Sequence, residues 1–280
     1  MSLIEIDPGT FTDVPPRRPG APDRAPARAR HHLDATGLLD LPRLAELAAF
    51  LPASSVEHNL GAVPLVLPGG VAPQAALTPR EIVETIETNG CWMVLKNIEQ
   101  DPDYAGLLDA CLDEVEPAVT ASEGRSVVRE GFVFLSAPGS VTPTHIDPEH
   151  NVLLQVRGTK TMVVGRFADD EALAVQAERL HSGEHRNLAD AAVDLVEFDL
   201  APGDGVYVPV HAPHVVRNGL AASISLSVTW GTRETVRAAR VHGLNARLRA
   251  RGRVGARPGQ SVARDSTKAF AVRVLRKIGR

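Results

Sequence analysis

Cysteine is nearly absent: the 280 residues hold two, Cys91 and Cys111, and neither belongs to a C-x-x-C pair. That excludes a disulfide framework and a sulfur-rich structural zinc site, and it predicts reduced thiols in a cytoplasmic setting. Cys91, among Trp92, Met93, Val94 and Leu95, reads as a buried structural thiol rather than a nucleophile. No apolar run approaches the roughly 20 residues of a membrane-spanning helix, so no membrane partner is expected. The first residues include Glu5 and Asp7 and no apolar stretch, unlike a secretory signal. Also missing are a Gly-rich phosphate loop, a serine-nucleophile elbow and any internal repeat.

The net charge of −4 conceals an asymmetry. From Gly231 to Arg280 there are 14 Lys and Arg against 2 acids, a net of +12, which leaves 16 basic and 32 acidic residues, −16, in the remainder. A basic end on an acidic body either binds a partner or folds back on the body. A nucleic-acid arm ranks lowest, because Phe270 is its one aromatic residue and no DNA-reading module is present.

Four regions follow from the grammar of the chain. Residues 1–30, with "VPPRRPGAPDRAPARAR", are too poor in apolar periodicity to bury much surface and read as a flexible leader or a strap. Residues 31–130 alternate helix and strand signals: "DLPRLAELAAFLP" has helical spacing, and "LTPREIVETIETNG" offers Thr78 as N-cap with Glu81 for a capping box. "CWMVLKNI" reads as a strand and "YAGLLDACLDEV" as a helix. Residues 131–230 hold short β-rich segments broken by Gly and Pro, with "DDEALAVQAERLHSG" as a helical insertion, which predicts a sandwich or jelly roll. Residues 231–280 form a basic helical tail whose Phe270, Val274 and Ile278 share one face, a stripe expected to pack on the body or make a homodimer.

The chemistry concentrates in "SVTPTHIDPEHNVLLQVRGTK". His145 and Asp147, two apart, project to the same side if the segment is a strand. A third ligand is offered by "PGDGVYVPVHAPHVVRN", at His211 or His214. Two histidines and a carboxylate leave open positions on a metal, as non-haem Fe(II) chemistry requires.

These two stretches resemble the JmjC-like, or cupin-like, branch of the Fe(II)/2-oxoglutarate oxygenases, and within it the hypoxia-inducible-factor asparaginyl hydroxylase type. His145 and Asp147 match the family's HxD; Asn151, Gln155 and Gly158 match the following strand; Lys160 matches its lysine. The resemblance spans about Phe132 to Trp230, with weaker similarity through the helices from about Leu38. It implies a double-stranded β-helix (cupin jelly roll) with N-terminal helices, and Fe(II) bound by His145, Asp147 and His214. His214 is preferred because the family's distal histidine comes five residues after a proline, here Pro209. Lys160 would pair with the distal carboxylate of 2-oxoglutarate, Thr142 would donate to the same group, and Asn151 would contact the cosubstrate.

The implied activity consumes O2 and 2-oxoglutarate, gives succinate and CO2, and hydroxylates an unactivated C–H bond of a protein or peptide side chain or of a small molecule. Two departures concern the substrate wall. No tyrosine evidently matches the family's contact to the distal carboxylate, since Tyr104 falls in a predicted helix and Tyr207 precedes His214. Ala212-Pro213 replaces a double aromatic. The alternative is a non-catalytic, metal-binding cupin used in regulation or assembly, which would bind metal without affinity for 2-oxoglutarate. Elsewhere, His181 and His185 stand four apart, but Ser182 and Gly183 point to a loop. His211 reads as a loop residue near the mouth, His31, His32 and His150 as surface or packing residues, and Arg157 and Arg217 as cations flanking the site.

Overall fold

The computed structural model describes residues 3–6, 25–60, 77–119, 123–184, 186–188 and 192–278. Two antiparallel sheets carry the architecture. The larger is built from β1 (Ile4–Ile6), β2 (Ala27–His31), β3 (Val56–Leu60), β4 (Cys91–Lys96), β5 (Ser126–Ser136), β7 (His150–Arg157), β10 (Asp204–Val208) and β12 (Ser223–Thr232). Its order is β1-β2-β10-β7-β12-β5-β4-β3. The smaller contains β6 (Val141–His145), β8 (Lys160–Arg166), β9 (Val193–Leu200) and β11 (His214–Asn218), in the order β6-β11-β8-β9. This is the expected jelly roll with flanking helices.

Period-2 alternation sorts the large sheet into two faces. On β7, Val152 and Leu154 enter an apolar core under the N-terminal helices, while Leu153 points between the sheets to meet Met162, Val164, Phe198 and Val216. On β12, Leu226, Val228 and Trp230 take the helix side, and Ser225, Ser227 and Thr229 take the inner side. All ten residues of β12 are buried. A buried face of hydroxyl side chains in a central strand costs desolvation unless polar partners meet it, so it marks where a polar site lies.

The N-terminal helices follow their sequence signals. Helix α1 (Leu41–Phe50) has proline in its first turn and buries Leu44, Ala45, Leu47 and Ala48. Helix α2 (Pro79–Glu84) closes the anticipated capping box, with Thr78 and Glu81 bonded reciprocally. Helix α3 (Pro102–Val119) covers the predicted segment and adds a turn. Cys91 and Cys111 are both buried and unpaired. No helix among the described residues is long and apolar enough to cross a membrane.

Two expectations need correction. Part of the leader is structural: Ile4–Ile6 pairs with Ala27–His31, and β2 in turn pairs with β10; residues 7–24 lie outside the described residues. The insertion helix α4 (Asp170–Ser182) runs through His181 and Ser182 and ends only at Gly183, in the left-handed conformation. His181 is therefore helical, and His185 lies outside the described residues. The tail forms α5 (Arg233–Arg249) and α6 (Val262–Ile278), and Phe270 is 66 % exposed, so of the two alternatives for the stripe it does not pack on the body at that residue. The buried face of α6 is Asp265, Ala269 and Val272, small side chains that let the helix lie close.

The basic tail does fold back on acidic body. Arg249 donates to Glu178 at 2.5 Å and pairs with Glu171 at 3.0 Å, and Arg257 reaches Asp170 and Glu171 at 3.4 and 3.1 Å.

The turn from β7 to β8 places the lysine at the head of β8. Gly158 there has φ +68°, and a Cβ on it would stand 2.4 Å from the Ala222 carbonyl oxygen. Gly158→Ala combines a left-handed backbone with a backbone clash and should cost roughly 1–3 kcal/mol. Urea unfolding of the two proteins checks this; an unchanged midpoint would mean the turn moves aside freely.

Candidate metal centre

His145 and His214 are brought together by backbone pairing. They are Cα partners in the β6–β11 ladder, and the next register pair is Val216 with Thr142. Two residues on β11 thus span three on β6, which is a β-bulge at Pro143-Thr144. A bulge resets the alternation. Without it Thr142 and His145, three apart, would face opposite ways; with it both line one pocket.

Asp147 is not a second strand residue: β6 ends at His145 and Asp147 lies beyond it. The expected reason for the shared side, strand alternation, is therefore wrong, although the two side chains do meet. Asp147 is held from outside the strand, its carbonyl accepting the His211 N–H at 2.9 Å.

The donor atoms of His145, Asp147 and His214 lie within 4.8 Å of one another, the one such group among the described residues. Each histidine has its Nδ1 engaged by a backbone carbonyl, Pro143 at 2.8 Å and Ala212 at 2.9 Å. Those bonds fix the tautomer, so both Nε2 atoms are left as lone pairs. They face Asp147 Oδ2 at 3.7 and 3.4 Å. Burial, reinforced by His214 and Arg186, drives the His145 pKa well below that of free imidazole. Burial pushes the Asp147 carboxyl up, but His145, His214 and Arg186 together outweigh it and hold the group ionised. A neutral His145 imidazole beside an ionised carboxylate is the protonation state that binds a metal.

The same pocket runs between the sheets to Lys160, past Thr142, Asn151, Ser227 and Asn218. Lys160 is 5 % exposed and donates to Ser225 Oγ at 2.8 Å. No carboxylate pairs with it among the described residues, and burial lowers its pKa to about 7. Asn151 accepts from Ser227 Oγ at 2.5 Å and, being two residues from Leu153, faces inward. Adjacent His150 faces the helices instead, bonded to Tyr207 and Glu123 and stacked on Trp230.

Sequence reading missed several residues. The cation at the metal group is Arg186, which pairs with Asp147 Oδ1 at 2.8 Å. Neither Arg157, paired with Glu87, nor exposed Arg217 plays that part. Arg186 arrives because residues 186–188 run beside 144–146, with Ile146 N–H on the Arg186 carbonyl and Leu188 N–H on that of Thr144. Glu149 lines the pocket with its carboxyl pushed up to about 8, chiefly by burial and then by Asp147 and Glu130. The aromatic wall is Trp92, Phe132 and Phe134. Tyr104 is spent on the Leu38 carbonyl and Tyr207 on His150. His211 is a loop residue, as expected, but a buried one with φ +59°.

A jelly roll enclosing two histidines and a carboxylate is the class that fold and site define together. Comparison with known proteins agrees: residues 119–238 match the family model described as the JmjC domain. Jumonji C domain-containing protein 5 of Drosophila melanogaster is 32 % identical over 114 residues, 35 % of this chain and 26 % of that protein. The Lysine-specific demethylase JMJ30 of Arabidopsis thaliana is 33 % identical over 104 residues, 33 % of this chain and 24 % of that protein. The matched part thus spans about a quarter of the length of these curated relatives. Among solved structures, the Escherichia coli ribosomal oxygenase YcfD aligns with TM-score 0.43 at 17 % identity, over 83 % of this chain and 57 % of that one. The same protein in complex with cobalt and 2-oxoglutarate aligns with TM-score 0.37 at 16 % identity, over 67 % and 47 %.

Lys160 makes the site pH-dependent. Below about pH 7 the folded chain carries a buried ammonium, whereas the unfolded chain keeps its lysine charged up to about 10.5. The unfolded state then binds the extra proton between those values, so this group's penalty is full below pH 7 and fades as pH rises. Lys160→Met should be more stable than the parent at pH 6, by up to a few kcal/mol, with the gap closing by pH 10. Urea unfolding of both proteins across that range is the check; a constant gap would contradict the buried charge.

Proposed function

We propose that the chain is an Fe(II)- and 2-oxoglutarate-dependent oxygenase that hydroxylates an unactivated C–H bond of a protein or peptide side chain or of a small molecule. One observation carries this reading. A single pocket presents a two-histidine, one-carboxylate donor group and, further in, a buried lysine with no anion to neutralise it. A buried ammonium is costly without a counter-charge, so the geometry suits a ligand that brings a carboxylate to it. A metal-binding cupin without a cosubstrate leaves that lysine unexplained.

The ladder sets the spacing. Asn218 is the partner of Lys160 and His214 the partner of Val164, four residues further along β8 and β11. At about 3.3 Å per residue that is ~13 Å of strand, which the long lysine side chain and a short dicarboxylic acid can bridge together.

In this reading His145, Asp147 and His214 hold the iron; burial keeps His145 neutral, and His145, His214 and Arg186 keep Asp147 ionised. Fe(II) with 2-oxoglutarate and O2 supplies the oxidising power for C–H hydroxylation, with succinate and CO2 as co-products. The protein positions and dries the site. Lys160 pairs with the distal carboxylate of the keto acid, Thr142 donates to it, and Asn151, fixed by Ser227, contacts the cosubstrate. Trp92, Phe132 and Phe134 exclude water from the substrate side. The likeness to asparaginyl hydroxylases rests on Asn151, Gln155, Gly158 and Lys160 following the HxD pair. Of these, Gln155 is structural here, its amide holding Arg157, Gly158 and Ser223.

Anaerobic addition of Fe(II) and 2-oxoglutarate to metal-free protein should produce a visible charge-transfer band. His145→Ala should abolish it, and Lys160→Ala should raise the 2-oxoglutarate concentration needed by at least ~10-fold, as expected for a lost charge-assisted contact. Metal binding with no band would favour the non-catalytic cupin.

A further inference from the structure

A second group of metal-ligating side chains lies outside this pocket. The rings of His181 at the end of α4, His242 in the middle of α5 and His211 in the loop before β11 pack against one another, although their donor atoms do not all come within 4.8 Å as those of His145, Asp147 and His214 do. Their ring centroids are 5.1 Å (His181–His211), 5.7 Å (His181–His242) and 5.5 Å (His211–His242) apart. The Nε2 atoms of His181 and His211 are 2.9 Å apart. The Nδ1 of His242 is buried and has no hydrogen-bond partner.

Three imidazoles drawn from three segments are an odd filling for a helix–helix seam. Two of the rings are buried, and burial depresses all three: His181 to about 4, His242 to about 3, and His211 well below the ordinary value. All three are neutral at pH 7 and keep a lone pair. One hydrogen bond between His181 and His211 accounts for a single pair of nitrogens and leaves His242 Nδ1 bare, an arrangement that costs desolvation without return. The backbone is drawn in here as well. Gly243, next to His242, lets α5 approach until a Cβ would stand 3.1 Å from the His181 carbonyl oxygen. His211 accepts a left-handed φ of +59° to reach the cluster.

We propose that His181, His211 and His242 form a second metal site, for a divalent first-row cation of the zinc class, with the fourth position left to water. Three imidazoles bound tetrahedrally at about 2.0–2.1 Å place ring centroids roughly 5 Å apart, close to the separations present. The ring of His242 stands furthest out and closes by turning about its own side-chain bonds. The proton between the two Nε2 atoms moves to an Nδ1 as its ring shifts tautomer, freeing both donors. Such an ion would fasten α4 and α5 to the loop that leads into His214. Through the His211 N–H it would also fasten the Asp147 carbonyl.

Co2+ distinguishes the two sites. Equilibrium dialysis of the metal-free protein should give two equivalents bound. His145→Ala should lose one, and His181→Gln and His242→Gln should each lose the other while keeping the first. In the Co2+-loaded parent protein, NMR should show hyperfine-shifted ring N–H signals from five imidazoles rather than two, a readout that needs no variant to fold. One equivalent in the parent, removed by His145→Ala and accompanied by two shifted imidazoles, would overturn the proposal. So would a second equivalent that survives both glutamine variants.

Discussion

The bulge in the β6–β11 ladder is the constraint on which the site depends. Antiparallel pairing alone sets His145 opposite His214, because each is the terminal residue of its strand where the two meet. Pairing alone would also send Thr142 out of the pocket. The extra residue at Pro143-Thr144 turns it back, so that one short strand lines the pocket at both ends. The proline fits, since a bulged segment forgoes a ladder hydrogen bond that proline could not make. From that point the rest follows by register: β11 pairs with β8, and four residues along the same ladder lie Asn218 and Lys160.

Polarity inside this sandwich is arranged by face rather than by region. The large sheet is covered by helices on one side and by the small sheet on the other, so its central strands are buried twice over. On β12 the inner positions are Ser225, Ser227 and Thr229, and each has a use or a partner: Ser225 takes the Lys160 ammonium, Ser227 fixes Asn151, and Thr229 bonds the Glu130 carbonyl. A buried polar network is favourable only when its members are satisfied. Here the residue left short of charge compensation is Lys160, at the place where a cosubstrate carboxylate would complete it.

Much of this could be read from the chain, for a physical reason. Ligand types, glycine turn and lysine are packed into "SVTPTHIDPEHNVLLQVRGTK", so short-range pattern carried the information. The capping box at Thr78 and the insertion helix from Asp170 were legible for the same reason. What escaped depends on long-range pairing. Arg186 reaches Asp147 only because residues 186–188 run beside 144–146. The histidine cluster joins residues thirty or so apart, each unremarkable in its own neighbourhood. The inner face of the tail was not legible, because apolar size alone does not say which side of a helix lies close to its neighbour. Phe270 points outward and Asp265, Ala269 and Val272 inward, since close packing against α5 favours small side chains and Asp265 Oδ2 accepts the Gly259 N–H.

The position of β12 has a bearing on how the chain is assembled. It is the last strand in sequence, yet it sits between β7 and β5 in the large sheet. Until it is in place, the strands on either side, β1-β2-β10-β7 and β5-β4-β3, share no ladder. During synthesis the N-terminal half can therefore form hairpins and helices, but the sheet stays in two pieces until Thr232 has left the ribosome. Pairings between residues so far apart close slowly and leave unpaired edges exposed meanwhile. The wedge that completes the fold also delivers Ser225 and Ser227, so the pocket becomes organised only when the barrel itself is finished.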